Sequence, residues 1–180
     1  MNALNDLRTG RILIVDDDDL VRQTLLSYFS TRGFDVVECD DPHAALQRTD
    51  LSTFNLLITD LQMPAMDGIE LIRRAQATHP DLAAILITGH ASIENAIEAM
   101  RSGAVDVVQK PFKFSALLST VQRAMETQQL RQANRRLQAE VRERVAQLEA
   151  VNQELDAFAA RLAHDLRGPV NNMRGITSFM

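Results

Sequence analysis

Four short apolar runs in this chain each end in a polar residue of a particular kind, and no other feature constrains the fold as much. Ile12–Val15 leads into Asp16 and Asp17, Leu56–Thr59 into Asp60, Ala83–Ile87 into Thr88, and Val105–Gln109 into Lys110 and Pro111. Runs of this length, apolar throughout, are those of buried parallel strands. In an open α/β sheet the ligand crevice lies beyond the carboxyl ends of the strands. Neighbouring strands would bring three carboxylates, a hydroxyl and an ammonium into one pocket. Clustered carboxylates ionise together only when a cation joins them. The pattern therefore points to a divalent metal and to chemistry on an anionic group.

Residues 11 to about 125 alternate strand-like and helix-like segments. Strands are expected at Arg11–Val15, Phe34–Cys39, Leu56–Thr59, Ala83–Ile87 and Val105–Gln109, with helices near 19–32, 42–51, 68–78 and 92–102. Gly33 and Gly103 stand just past helix ends, where a left-handed cap favours glycine. Pro42 suits a first helical turn behind Asp41 as N-cap, and Asp19 reads as the N-cap of the first helix. Strict βα alternation predicts a doubly wound parallel sheet with helices on both faces.

After about Ser115 the pattern changes: no strand is expected, and no Gly or Pro occurs until Gly168 and Pro169. Leu130, Leu137, Val141, Leu148, Val151, Leu155, Phe158 and Leu162, with Asn134 and Arg144 filling the two gaps, recur in steps of three and four, the seam of a coiled coil. Asn134 occupies an a position, which can fix register and dimer state, and Arg144 a d position, which weakens the seam locally. One helix from Ser115 to about Arg167 would run roughly 80 Å at about 1.5 Å per residue. A helix of that length has no room to pack on so small a domain, so a parallel homodimer is expected. The expected organisation is a tail at 1–10, the α/β domain at 11–125, a coiled-coil linker at 126–157 and a further segment at 158–180.

The segments ILIVDDDD, LLITDLQMPAMDG, ILITGHA and GAVDVVQKPF, in this order and spacing, resemble the receiver domain of two-component response regulators. The resemblance covers residues 11 to about 125 and implies a flavodoxin-like (βα)5 fold with sheet order 2-1-3-4-5. It implies that Asp60 takes a phosphoryl group from a phosphohistidine on a cognate histidine kinase or phosphotransfer protein. It further implies Mg²⁺ held by Asp16, Asp17, Asp60 and the backbone carbonyl of Gln62. Lys110 would pair with a phosphoryl oxygen, Thr88 would hydrogen-bond another, and the Lys110–Pro111 bond would be cis. The family usually places Phe or Tyr three residues before this lysine as an inward-swinging switch. Here that position is Val107. Asp67 is expected to shape its turn with Gly68, His90 to face the pocket mouth, His43 and His79 to end surface helices, and Met63 and Met66 to pack within loops.

The segment ELDAFAARLAHDLRGPVNNMRGI resembles the phosphoacceptor helix of histidine kinases. The resemblance makes His164 a residue phosphorylated from ATP in a dimeric four-helix bundle, with Asp165 as orienting base and Pro169 kinking the helix. Gly168 stands where kinases that are also phosphatases often carry Thr or Asn. No Gly-rich ATP motif occurs, so the chain reads as a fragment of a sensor histidine kinase whose ATP-binding domain lies elsewhere.

A net charge of -5 argues against a broad nucleic-acid-binding surface. No apolar stretch approaches about 18 residues, so no membrane span is expected. The single cysteine, Cys39, reads as a buried core thiol and fits a reducing cytoplasm. Competing functions are weaker. A response-regulator transcription factor would carry a helix-turn-helix after the linker, and none is visible. A haloacid-dehalogenase-like phosphohydrolase would place a second Asp where Gln62 stands. A vestigial scaffold would not keep the acidic set. A phosphotransfer intermediate or phosphate sink remains the alternative to regulation of a kinase output.

Overall fold

The computed structural model describes residues 10–176 apart from Thr49 and Ala91, with side chains through Leu162. Five strands, β1 (Arg11–Val15), β2 (Asp35–Cys39), β3 (Leu56–Asp60), β4 (Ala83–Thr88) and β5 (Asp106–Gln109), form one parallel sheet of order β2-β1-β3-β4-β5. The helices are α1 (Asp19–Ser30), α2 (Pro42–Leu46), α3 (Gly68–Thr78), α4 (Ile93–Arg101) and α5 (Phe114–Ile176). The flavodoxin-like order expected from the resemblance is the order found.

Period-two alternation within the strands supplies both faces of the core. Leu13, Val15, Leu57, Ala84 and Leu86 pack with Ala45, Leu71, Ile72, Ala75 and Ala99 from α2, α3 and α4. Ile12, Ile14, Leu56, Ile58, Ile85 and Ile87 pack with Leu25 and Phe29 of α1 and Leu117, Val121 and Ala124 of α5. A strand buried on both faces must be apolar at every position, so these runs read as continuous rather than alternating.

Local boundaries follow the caps. The N-cap of α1 is Asp18 rather than Asp19: its carboxylate accepts from the N–H groups of Leu20 and Val21. Asp19 instead sits in the first turn, where its charge suits the helix dipole. Asp41 caps α2 ahead of Pro42 as expected. That helix ends at Leu46, and Leu51 belongs to a separate 3₁₀ turn, Leu51–Thr53. Gly33 and Gly103 have positive φ of 89° and 102°, the left-handed conformation their helix ends require. β2 begins at Asp35, one residue later than expected, because the Phe34 N–H returns to the Phe29 carbonyl in closing α1. Cys39 is half-buried rather than fully buried, and its thiol donates to the Asp41 carbonyl at 3.2 Å.

The chain divides into two compact units at Gln132 and Ala133. Within the first, α5 contributes Leu117, Val121, Ala124, Met125 and Gln128 to the interior. Within the second, the helical backbone continues through Gly168 and Pro169 to Ile176. Its Leu137, Val141, Leu148, Val151, Leu155, Phe158 and Leu162 are exposed. No helix among the described residues is long and apolar enough to cross a membrane.

Candidate functional site

The sheet order places the carboxyl ends of β1 and β3 side by side, with β4 and β5 following. Asp16 leaves β1, Asp60 ends β3, Thr88 ends β4 and Lys110 follows β5. Asp16, Asp60 and Thr88 are buried, at 2%, 7% and 1% exposure. Lys110 Nζ donates to Asp60 Oδ1 at 2.6 Å and to Asp16 Oδ2 at 3.0 Å. The other oxygen of Asp60 accepts from the Gln62 N–H at 2.6 Å, and Asp16 Oδ1 accepts from the Asp18 N–H at 2.9 Å. Both carboxylates are therefore fixed at both oxygens. The Lys110–Pro111 peptide is cis.

Burial pushes the Asp16 carboxyl above the ordinary aspartate value of 3.8; the Asp18 N–H and the Lys110 ammonium pull it back, while the Asp60 charge adds to the rise. Burial works against the Lys110 ammonium too. Its hydrogen bonds to Asp60 and Asp16 outweigh that cost, and its pKa stands above the ordinary 10.5.

Thr88 does not reach Asp60 by a direct hydrogen bond. Its hydroxyl donates to the His90 carbonyl and accepts from the His90 N–H, both at 3.1 Å. The side chain of His90 is exposed, as is that of His43, while His79 is half-buried at the C-cap of α3. Asp67 caps α3, accepting from the Glu70 N–H at 2.7 Å. Met66 is buried, and Met63 packs on the same core cluster. Val107 is half-buried against that cluster beside Leu86 of β4.

The oxygen donors at this end of the sheet are the carboxylates of Asp16 and Asp60, the exposed Asp17 and the carbonyl of Gln62. Asp17 and Gln62 line an open groove with Met63, Pro64, Asp67 and Glu98. An all-oxygen set open to water is chemically suited to Mg²⁺, which keeps several of its waters. Among the described residues no three Asp, Glu, His or Cys side chains already surround one point. Lys110 is instead the cation shared by the two buried carboxylates. His164 and Asp165 lie outside the described side chains.

Two residues support the site in ways the sequence does not announce: Gly68, read only as part of a turn, and Arg22. Gly68 opens α3 directly over Asp60: a Cβ there would lie 2.1 Å from the Asp60 carbonyl oxygen and 2.7 Å from Leu86 Cδ1. Its signal is the Asp67–Gly68 pair, which reads equally well as an ordinary turn. Arg22 of α1 donates to the Asp16 carbonyl at 2.8 Å and pairs with Asp19 at 2.9 Å. Its guanidinium also faces Glu38 of β2 at 3.7 Å.

Comparison with known proteins agrees with this fold. The family profile described as the response regulator receiver domain matches residues 12–122. The chain is 37% identical over 134 residues to the C4-dicarboxylate transport transcriptional regulatory protein DctD of Pseudomonas aeruginosa, covering 74% of this chain and 29% of that protein. It is 34% identical over 154 residues to the transcriptional regulatory protein FixJ of Bradyrhizobium diazoefficiens, covering 86% of this chain and 68% of FixJ. A crystal structure of NtrX from Brucella abortus superposes with a TM-score of 0.66 at 31% identity, covering 72% of this chain and 30% of that one. The chain thus spans under a third of DctD and of NtrX. By profile, fold and sheet order, this chain belongs to the response regulator receiver domain family.

Proposed function

We propose that Asp60 accepts a phosphoryl group and that its modification regulates an output carried by the long helix. The observation that carries this reading is the bridge from Lys110 to both buried carboxylates, Asp60 at 2.6 Å and Asp16 at 3.0 Å. A carboxylate oxygen of Asp60 attacks the phosphorus of a phosphohistidine on a cognate kinase or phosphotransfer protein. The P–N bond breaks, and the imidazole leaves with its electron pair. Asp60 is oriented by Lys110 and by the Gln62 N–H before the donor arrives, so little reorganisation is required. Lys110 offers a point charge to a phosphoryl oxygen. Thr88 has a hydroxyl to offer once it releases His90. Asp16, Asp17, Asp60 and the Gln62 carbonyl are the residues that would hold Mg²⁺, which when bound neutralises developing phosphoryl charge.

The output we favour is His164, with Asp165 as its base, in a parallel dimer formed through the seam from Leu130 to Leu162. The support is the heptad spacing and the exposure of seam residues, such as Leu148 at 69% and Val151 at 54%. The relatives support a second reading: DctD and FixJ are named as transcriptional regulatory proteins. In that case the same receiver would control a DNA-binding output. An ATP-binding domain in the same polypeptide would favour the first reading, and a DNA-binding domain the second. Incubation with acetyl phosphate and Mg²⁺, followed by intact mass, tests the shared step: wild type gains one phosphoryl group and Asp60→Asn gains none. Equal labelling of the two would refute it.

A further inference from the structure

We propose that Arg22 is a positioning residue for the metal-binding loop: it holds the Asp16–Asp17 peptide in place through the Asp16 carbonyl. The inference rests on the reading of Asp16 and Asp17 as Mg²⁺ ligands. Asp16, Asp17, Asp18 and Asp19 are four consecutive carboxylates, and their mutual repulsion favours a splayed loop. The side-chain oxygens of Asp16 are tied to Lys110 and to the Asp18 N–H. Its backbone carbonyl is tied to Arg22 Nη1 at 2.8 Å. The peptide between Asp16 and Asp17 is planar, so fixing that carbonyl also fixes the plane from which Asp17 departs.

Arg22 is itself anchored. Its side chain is only 11% exposed, and its other nitrogens meet Asp19 at 2.9 Å and Glu38 at 3.7 Å. Glu38 is held in turn by Gln23 Nε2 at 2.8 Å. The guanidinium thus ties together the end of β1, the first turn of α1 and the edge strand β2. Two of these contacts, to the Asp16 carbonyl and to Asp19, are hydrogen bonds, and the approach to Glu38 is an ion pair. A planar fork presents its donors in fixed, divergent directions, whereas the ammonium of a lysine is a point charge on a flexible stem and does not reproduce that geometry.

The proposal differs in sign from a purely electrostatic role. A cation close to a divalent metal repels it, so removing the charge of Arg22 without any loss of positioning would tighten metal binding. Loss of positioning weakens it instead, by roughly ten-fold or more if the effect is that of residues supporting metal ligands elsewhere. The test is an Mn²⁺ titration of the full chain followed by electron paramagnetic resonance of the free ion, with Mn²⁺ as a hard, oxygen-preferring probe. Wild type, Arg22→Lys, Arg22→Met and Asp16→Asn are compared, with melting temperatures recorded alongside.

The proposal predicts weaker Mn²⁺ binding in both Arg22 variants, including Arg22→Lys, which keeps the charge. Tighter binding by Arg22→Met with no change in Arg22→Lys overturns it, and so does unchanged affinity in both. If Arg22→Met fails to fold, Arg22→Lys alone decides. Wild type that takes up no Mn²⁺, or Asp16→Asn that binds as wild type does, overturns the metal reading beneath the inference. Metal binding that weakens on Asp16→Asn but not on either Arg22 substitution overturns only the role of Arg22.

Discussion

Lys110 and Asp60 are 2.6 Å apart, nitrogen to oxygen, although 50 residues separate them in sequence. The same ammonium reaches Asp16 at 3.0 Å. One cation thus offsets two buried carboxylates, and the remaining negative charge makes the pocket receptive to a second. Replacing Lys110 with Met removes the cation shared by Asp16 and Asp60 and leaves each carboxylate with only its backbone N–H donor, from Asp18 and from Gln62. The expected outcome is a loss of about 1–3 kcal/mol in the metal-free protein, the cost of leaving buried polar groups unsatisfied. Urea denaturation with and without Mg²⁺ measures it, and the loss should shrink when the metal is present.

Asp16 gives a pH dependence with a definite sign. Its folded-state pKa is raised by burial above the ordinary 3.8, so the folded protein takes up a proton before the unfolded chain does. Its contribution to stability is fully present below pH 3.8 and is lost as pH rises through the folded value. Asp16→Asn lacks this titration. Without metal, the stability of Asp16→Asn relative to wild type should therefore increase with pH across the mildly acidic range and then level off. Paired chemical denaturation at several pH values checks this; a difference independent of pH would contradict it.

Much of this arrangement was legible before the structure. Buried parallel strands are continuous apolar runs, and the residue past each run marks the crevice, so Asp16, Asp60, Thr88 and Lys110 could be placed at one end of the sheet from the runs, while the strand order that makes them neighbours came from the resemblance to the receiver domain. What could not be read was which of several equivalent residues does a local job. In Asp16–Asp19 every residue is a competent N-cap, and the choice of Asp18 depends on where the backbone turns after β1. The close approach of Gly68 to the Asp60 carbonyl arises from how α3 docks on β3, which has no local signature. The contact of Arg22 with the Asp16 carbonyl likewise requires the path of α1. The half-burial of Cys39 follows from its place on β2, an edge strand.

Gly68 and Gly89 make a matched pair. A Cβ at Gly68 meets backbone at 2.1 Å, whereas a Cβ at Gly89 meets nothing within 4 Å. Gly68→Ala should cost about 1–3 kcal/mol, as overpacking does elsewhere, and should slow labelling of Asp60 by displacing its carbonyl. Gly89→Ala should leave stability close to wild type. Urea denaturation and acetyl-phosphate labelling of the two variants provide the comparison.

The Thr88 hydroxyl is committed to the backbone of His90. If it donates to a phosphoryl oxygen on phosphorylation, the His90 carbonyl loses the proton it now accepts from Thr88, and the peptide at His90 is perturbed. Amide NMR should show a large shift at His90 in phosphorylated wild type and a much smaller one in Thr88→Ala, with labelling of Asp60 itself retained. With Val107 in the place of the usual aromatic, this exchange of partners would be the switch left to the pocket.

The exposed seam predicts concentration-dependent association. Leu148→Asp should convert a dimer to a monomer, and Arg144→Leu should raise the melting temperature by replacing a charge at a d position with the residue that position favours. Sedimentation equilibrium at micromolar concentration distinguishes the states. A wild-type monomer would remove the dimer from the account and leave the pocket untouched.

The central claim is that Asp60 is the nucleophile. Peptide mapping of the protein after acetyl phosphate, Mg²⁺ and borohydride reduction tests it most directly, because borohydride converts an acyl phosphate to an alcohol at the residue that carried it. A single modified aspartate, Asp60, is expected, with no modification when Mg²⁺ is chelated. Modification at Asp16 or Asp17 instead, or an unmodified Asp60 in wild type, would contradict it.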